Sequence, residues 1–273
     1  MSSLFNQESD DDKQKFMFKS YRPQVSPRAQ LTGWLLACVL ATAGAVGVQA
    51  EARSFTFGIE PDISSRYLWR GMAQGQGPVC QTSAWVSAAD FTFTPWTNIV
   101  LGNKVDRWRF NELDLFFDWA GEWHNIKIAP CFGLYLYPNQ PEVATTADLT
   151  LELSIPVGSL QASSAHTIDL LAAAGAYFGE AGLSVEHELA AGLSLNAQVS
   201  VGWASAKFNQ AFAGTSRSAM NLAGAEVSFT WSIGNALYLM PHAELNLFTD
   251  RELRETQGSI TTFAAGLAVG KEF

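Results

Sequence analysis

The feature that most limits the fold of this chain is a strict alternation of polar and apolar residues along several long stretches. It occurs in "ELDLFFDWAGEW" (112–123), in "DLTLELSI" (148–155) and in "LSLNAQVSVGW" (193–203). Successive side chains of a β-strand point to opposite faces, so each stretch predicts a strand with one polar and one apolar face. No convincing helical pattern follows Ala50, and the fold is therefore predicted to be all-β.

Twelve stretches have the length and pattern of strands. They are residues 54–69, 78–89, 92–103, 110–122, 125–137, 146–155, 166–178, 183–189, 193–206, 219–231, 236–248 and 259–273. Short connections such as 190–192 alternate with longer polar ones such as 207–218, although 156–165 is long where a short turn is expected. This alternation is typical of outer-membrane barrels and predicts a transmembrane up-and-down antiparallel β-barrel of about 12 strands.

A soluble β-sandwich would show the same alternation, so other features must separate the two folds. Many predicted strands have about 11 to 14 residues, whereas soluble strands have about 5 or 6 and membrane strands about 9 to 11. Only three lysines follow Lys104, although lysine is common on soluble sheets. Aromatic residues gather at predicted strand ends, where a membrane interface favours them. They are Tyr67, Trp69, Trp123, Tyr137 and Trp203.

Three prolines argue against continuous strands. Pro61, Pro130 and Pro241 fall inside predicted strands, and proline cannot donate a ladder hydrogen bond. Because a closed barrel has no free edge, we expect each of them at a bulge or a strand end.

The N-terminal part predicts export. An uncharged apolar run at 31–48 follows Arg22 and Arg28 and ends in small residues, which indicates a signal peptide cleaved after Ala50. A single transmembrane anchor is the alternative, since 18 residues could just span a bilayer. Residues 1–50 are thus predicted to be an extension and signal peptide, and 51–273 the barrel. Cys80 and Cys131 fall on non-adjacent strands and are expected to be free thiols.

The C-terminal residue supports an outer-membrane location. An even number of strands places both termini in the periplasm, and counting back from Phe273 by twos gives an apolar face. Strands of this kind that end in phenylalanine are read by the barrel-assembly machinery, so this machinery and the outer-membrane lipids are the expected partners. Lys271 departs from the pattern, because an aromatic residue is usual at its position.

Composition and motifs exclude several functions. The formal net charge of -9 leaves no basic stripe for nucleic acid. No Walker, Rossmann, zinc or EF-hand spacing occurs, so neither a metal nor a cofactor is predicted. His242 and Glu244 are the only acid–base pair on one strand face, and no nucleophile lies next to them in sequence. The chain is therefore not expected to be an enzyme.

Charged residues in the predicted strands belong to the inner face, because charge facing lipid costs about 2 to 4 kcal/mol for Arg or Lys at the bilayer midplane. The residues proposed to line a pore are Arg66, Arg70, Glu112, Asp114, Asp118, Asp148 and Glu152. Residues 51–273 contain 12 Lys plus Arg against 22 Asp plus Glu, which favours cations. A porin-like channel for passive diffusion of small hydrophilic solutes is predicted. The alternative is a non-conducting structural or binding barrel, whose charges pair across a plugged interior.

One short stretch, "SRYLWRG" (65–71), is unusual for a strand. If it continues the first strand, Arg66 and Arg70 face the lumen, and Tyr67 and Trp69 face lipid near the outer interface. Residues 64–87 resemble the first hairpin of the TorF-type porins of proteobacterial outer membranes, which carry a Ser-x-Tyr-x-x-Arg-Gly element. This resemblance implies an outer-membrane barrel with a pore function. Oligogalacturonate-specific channels and MltA-interacting proteins share the architecture.

Overall fold

The computed structural model describes residues 55–102 and 107–273, which are mostly β-strand. The strands are β1 (Phe55–Ser64), β2 (Leu68–Trp69), β3 (Met72–Ala73), β4 (Val79–Ala88), β5 (Phe91–Val100), β6 (Arg109–Trp119), β7 (Gly121–Trp123), β8 (Ile126–Leu136), β9 (Thr146–Val157), β10 (Leu160–Asp169), β11 (Tyr177–Ala190), β12 (Leu193–Ala204), β13 (Ala219–Gly234), β14 (Leu237–Phe248) and β15 (Thr261–Glu272). The helices are α1 (Ala206–Phe208), followed by a π-helical turn at Asn209–Ala213, and α2 (Arg251–Gln257). The predicted signal peptide lies outside the described residues.

The main sheet closes on itself. Every strand except β2 and β3 pairs antiparallel with its neighbours in one 13-stranded sheet, and β1 pairs with β15. Both β6 and β7 pair with β8, so they form one interrupted strand and the barrel has twelve strands. The predicted fold class and strand number are confirmed.

The two ends of the barrel differ in their connections. At the end that holds Phe55 and Phe273, which we call the turn end, the strands are joined by short turns such as 158–159 and 235–236. At the other end, the loop end, the connections are longer. The predicted long connection at 156–165 is wrong, because β9 continues to Val157 and β10 starts at Leu160. Gly158 has a φ of 63°, which allows the tight turn that the sequence pattern did not reveal.

The outer surface of the barrel is apolar, because the apolar positions of each alternating strand point outward. Exposed examples are Phe55, Phe57, Ile63, Phe91, Phe117, Leu149, Leu151, Val199, Leu245 and Phe263. A protein in water would bury such side chains, whereas a bilayer solvates them. None of the helices in the described part of the chain is long and apolar enough to cross a membrane.

Pro61, Pro130 and Pro241 lie inside the strands β1, β8 and β14. The expectation that each lies at a bulge or a strand end is therefore wrong. Pro61 pairs with Thr82 of β4, while the ladder between β1 and β15 is interrupted beside it. Pro241 pairs with β15, and the ladder between β13 and β14 is interrupted there. Pro130 pairs with β9 opposite the break between β6 and β7. Each proline lacks one N–H, so it interrupts the ladder on one side only.

The first strand is shorter than predicted. It ends at Ser64, and residues 65–78, which we call the inward loop, enter the lumen and carry the small hairpin β2–β3. Tyr67 and Trp69 are therefore buried inside the barrel, and the prediction that they face lipid is wrong. The turn of this hairpin is Arg70–Gly71, with φ values of 48° and 76°. Two successive residues with positive φ are incompatible with a continuing strand.

The barrel closes at the seam between β1 and β15, next to the C-terminal residue. The backbone N–H of Phe273 donates to the carbonyl of Phe57 at 2.8 Å, and the two rings stack at 5.1 Å. The Lys271 ammonium lies 4.6 Å from the Phe273 ring centroid. The terminal phenylalanine therefore continues the ladder and covers the seam.

Candidate functional site in the barrel lumen

The lumen contains a large polar cavity in the half that includes the turn end. Its volume is about 1070 Å³, and it extends from the turn residues Gly158 and Gly192 to the inward loop. Ten carboxylates line it, against the basic side chains of Arg70 and Lys127. The carboxylates are Glu60, Asp62, Asp118, Glu152, Glu180, Glu186, Glu188, Glu226, Glu244 and Glu272. The cavity is strongly acidic.

Strand register brings several of these acids together. Glu226 on β13 lies directly opposite Glu244 on β14. Glu152 on β9 and Glu180 on β11 both align with Ala165, which lies on the strand between them. The small side chain of Ala165 leaves space between the two carboxylates. Acidic groups thus occupy the cavity wall on the arc from β9 to β14.

Polar contacts also join the cavity wall across the seam region. His242 Nε2 lies 2.9 Å from Asp62 Oδ1, and the hydroxyl of Tyr238 donates to Glu60. Asn246 donates to Glu244 Oε1 at 2.6 Å. The acids of β1 and β14 are therefore held in fixed positions, as hydrogen-bonded polar groups in a confined space have to be.

Aromatic side chains close the lumen on the loop-end side of this cavity. The ring of Tyr67 from the inward loop packs against Trp96 of the wall at 5.7 Å. Trp69 packs against Phe208 at 5.6 Å and against Phe212 at 5.5 Å. The buried cluster formed by Tyr67, Trp69, Trp96, Phe208 and Phe212, together with the residues packed against them, is called the plug. Its packing resembles the core of a soluble domain, because the rings meet at tilted and edge-on angles.

The second component of the plug is the segment 205–218, which contains α1 and the π-helical turn. Ser205 caps α1 by accepting a hydrogen bond from the N–H of Phe208 at 3.2 Å. Asn209 and Asn221 of β13 exchange two hydrogen bonds of 2.7 and 3.2 Å. These contacts fix the segment against the wall and direct Phe208, which is 1% exposed, into the plug.

Helix α2 covers the plug from the loop end. Leu253 on this helix is completely buried, and Asp250 caps the helix by accepting from the N–H groups of Glu252 and Leu253. Burial raises the pKa of Asp250, but the Arg217 guanidinium and the two N–H groups outweigh it and hold the pKa below its usual range. The cap is therefore ionised, and it also pairs with Arg217.

Arg70 lies at the centre of the plug, above the acidic cavity. Its side chain is only 4% exposed, and its Nη2 lies 3.8 Å from Asp148 Oδ2. The guanidinium carbon lies 4.7 Å from the ring centroid of Trp69, 4.5 Å from that of Phe178 and 5.0 Å from that of Phe208. These distances are within the range of cation–π interaction. Arg70 thus joins the inward loop to β9, β11 and α1.

Other carboxylates around the plug are buried rather than exposed to the cavity. Glu112, Asp114 and Asp148 are 1%, 0% and 2% exposed. The Tyr67 hydroxyl donates to Glu112 Oε1 at 3.4 Å. Asp169 lies opposite Asp148 in register and accepts from Thr146 at 2.7 Å. The inward loop therefore contacts a wall that carries several buried acids.

The residues predicted to line a pore fall into three groups. Asp118 and Glu152 line the cavity, and Arg70 forms part of its roof. The buried acids Glu112, Asp114 and Asp148 belong to the plug. Arg66 is half-buried in the inward loop and does not line the cavity. The alternation of side chains along a strand located the acids of β6 and β9. The positions of Arg66 and Arg70 are instead set by the inward loop, because β1 ends at Ser64.

Sequence reasoning missed Glu180. Strand eight was predicted at 183–189, but β11 spans Tyr177–Ala190, and Glu180 points into the cavity from it. Glu180, Gly182 and Ser184 alternate with the apolar residues Ala181, Leu183 and Val185, and this signal could have extended the predicted strand toward its start. The predicted strand at 166–178 is displaced in the same way, because β10 spans Leu160–Asp169.

The Ser-x-Tyr-x-x-Arg-Gly element now has a structural explanation. Ser65 exchanges hydrogen bonds of 2.8 and 3.0 Å with Ala265 of β15, which fixes the start of the inward loop. Tyr67 and Arg70 contact the wall as described above. Gly71 supplies the positive φ of the hairpin turn, and its carbonyl accepts from Thr262 at 2.6 Å. All four residues of the element therefore hold the inward loop in the lumen.

Tyr67 separates the acidic cavity from a smaller one of about 140 Å³ on the loop-end side of the plug. Both cavities have the Tyr67 side chain in their lining. Across the described residues, no cluster of His, Cys, Asp and Glu could hold a metal ion. Cys80 on β4 and Cys131 on β8 are free thiols on non-adjacent strands, as predicted.

These features define the class of protein. A closed antiparallel barrel with an even number of strands, an apolar outer surface, and short turns at one end is a transmembrane β-barrel of the bacterial outer membrane. Because outer-membrane barrels carry short turns on the periplasmic side and longer loops outside, we expect the turn end to face the periplasm. The predicted outer-membrane location is confirmed.

Several solved structures similar to the chain are porins or outer-membrane channels. The NanC porin matches with a TM-score of 0.47 and 9% identity over 79% of this chain and 98% of its own. The KdgM porin matches with 0.46 and 7% identity over 80% and 98%. The COG4313 outer membrane channel from Pseudomonas putida F1 matches with 0.45 and 11% identity over 82% and 97%. No protein-family model and no curated protein sequence matches the chain, so the TorF-type resemblance stays a prediction.

Proposed function

We propose that the chain is a porin-like channel through which small hydrophilic solutes diffuse, that it prefers cations, and that the plug closes it. The single observation that carries this proposal is the cavity of about 1070 Å³ lined by ten carboxylates. Acidic walls in a narrow, low-dielectric passage concentrate positive solutes and repel negative ones.

The route of a solute is set by the position of the plug. The acidic cavity begins at the short turns of the turn end and ends at the inward loop. The inward loop therefore has to move before a solute can cross. The loop is attached to the wall by hydrogen bonds, by the ion pair between Arg70 and Asp148, and by ring contacts, all of which are reversible. The resemblance of residues 64–87 to TorF-type porins supports the same function.

A non-conducting barrel is the second candidate, and the packing of the plug favours it. Phe178, Phe208 and Phe248 are each 1% exposed, which is typical of a stable core. In such a barrel the acidic cavity would be a periplasm-facing vestibule without an exit.

Planar bilayer recordings under a salt gradient test the proposal. The wild-type chain is compared with a variant in which residues 66–76 are replaced by a short glycine–serine linker, after heat-modified migration on gels has shown that both are folded. We expect the shortened variant to conduct continuously with a cation-selective reversal potential, and the wild type to open rarely. A folded shortened variant without conductance would refute closure by the inward loop and favour the non-conducting barrel, and an anion-selective reversal potential would refute the cation preference.

We further propose that the barrel-assembly machinery recognises the final strand with Phe273. Support comes from the position of this residue, which is exposed beside the seam and stacks on Phe57 of the first strand. A factor that bound the last strand would therefore hold it close to the strand with which it closes the barrel.

A further inference from the structure

Arg70 occupies a cation-binding site within the plug. The site consists of the rings of Trp69, Phe178 and Phe208 and the carboxylate of Asp148, and we call it the Arg70 cage. These four groups come from the inward loop, β11, α1 and β9. Because only Trp69 belongs to the inward loop, most of the cage belongs to the rest of the barrel.

The chemistry of the cage selects a particular class of cation. Aromatic faces attract weakly hydrated, delocalised cations such as guanidinium and alkylammonium, whereas Na⁺ retains its water. Tyr135 donates a hydrogen bond to Asp148. The side chains of Tyr135 and Asp148 are almost fully buried, so the carboxylate is well shielded from water.

Arg70 occupies this cage from the tip of the β2–β3 hairpin. The hairpin turn places both Arg70 and Gly71 in the left-handed region, so the guanidinium is presented by a strained backbone position. Ser65, at the start of the loop, stays bound to β15 through its backbone and side chain. The loop thus has one end attached to the wall and a charged tip that enters a site.

We propose, on the basis of the cation-channel function, that the Arg70 cage is a binding site for guanidinium-type or alkylammonium solutes, and that Arg70 is its internal occupant in the closed state. A solute cation that enters the cage replaces Arg70 and releases the inward loop. No covalent step is involved, because one bound cation is exchanged for another. The acidic cavity below the plug supplies such cations to the cage from the periplasmic side.

Binding to an Arg70→Ala variant tests the cage without reference to conduction. Calorimetry on folded, detergent-solubilised protein is carried out with methylguanidinium chloride, with sodium chloride at equal ionic strength as the reference. We expect Arg70→Ala to bind methylguanidinium at least about tenfold more tightly than the wild type, because Arg70 no longer occupies the cage and the added cation can pair with Asp148 in its place. The double variant with Asp148→Asn should lose this binding. The matched control is Arg251→Ala, which removes an exposed arginine paired with Glu255.

The wild-type protein supplies a second readout that does not depend on whether the variant folds. Chymotrypsin cleaves after Tyr67 and Trp69, both of which are buried while the inward loop is seated. Methylguanidinium should accelerate this cleavage, whereas sodium at equal ionic strength should not. An unchanged cleavage rate overturns the proposal, and so does Arg70→Ala binding no more methylguanidinium than Arg251→Ala.

The cation channel and the Arg70 cage can be refuted independently of each other. If the shortened-loop variant conducts cations but the cage binds no guanidinium-type cation, the channel stands and the cage is refuted. If Arg70→Ala binds methylguanidinium but the shortened-loop variant does not conduct, the cage is a ligand site of a non-conducting barrel.

Discussion

Gly71 is the position where a single methyl group should unseat the inward loop. Its φ is 76°, and a Cβ built there would lie 3.0 Å from Leu222 Cδ2 and 3.2 Å from Asn246 Cβ. An L-residue in the left-handed region costs about 1–2 kcal/mol, before any displacement of these two neighbours. A difference of about 1.4 kcal/mol changes an equilibrium tenfold. Gly71→Ala should therefore raise the unseated fraction, meaning the fraction of molecules whose inward loop has left the lumen, about 5- to 30-fold.

Limited proteolysis measures this fraction, and the same loop offers the control. Chymotrypsin cleavage after Trp69 follows the population of the unseated loop when opening is fast compared with cleavage. In Gly75→Ala the added Cβ meets nothing within 4 Å, so its rate should match that of the wild type. Equal initial rates for Gly71→Ala and Gly75→Ala would show that the close contacts and the turn at Gly71 do not hold the loop.

Three further changes address other parts of the barrel. Deleting Phe273 should lower the folded, heat-modifiable fraction while export continues, because a ring stack of about 0.5–1.5 kcal/mol and one ladder hydrogen bond are lost at the seam. Replacing Glu226 and Glu244 by Gln in the shortened-loop variant should move its reversal potential toward zero, because two facing carboxylates leave the cavity wall. Asp250→Ala should increase hydrogen exchange in residues 251–257 at neutral pH, since loss of an N-cap costs about 1 kcal/mol. The folded pKa of Asp250 lies below its ordinary value of 3.8, so its stabilisation is present above that value and is lost as the pH falls through the folded pKa.

Each of these changes has a control of the same chemical type. Phe263→Leu alters an exposed phenylalanine of β15 away from the terminus and should leave the folded fraction unchanged. Glu122→Gln removes an exposed carboxylate outside the cavity and should leave the reversal potential unchanged. Asp90→Ala removes an exposed acid at the turn end and should not affect exchange in α2. A control with the same effect as its test variant would contradict the corresponding explanation.

The sequence determined most of the barrel because alternation is a local property of a strand. The pattern in β6, β9 and β12 specifies which side chains face lipid and which face the lumen, and the structure has the same parity in all three. Strand number and class follow, because apolar outer faces in lipid require every strand edge to be paired. Inward acids such as Glu152 could be assigned for the same reason.

Only the tertiary structure decided what the stretch at 64–71 does. Read locally, Tyr67 and Trp69 continue the alternation of β1, and nothing in their immediate neighbours distinguishes a lipid contact from a buried one. The distinction depends on partners far away in sequence, including Phe208 and Asp148, which the closed barrel brings to Trp69 and Arg70. The free energy that turns the loop inward comes from these long-range contacts, and local periodicity carries no information about them.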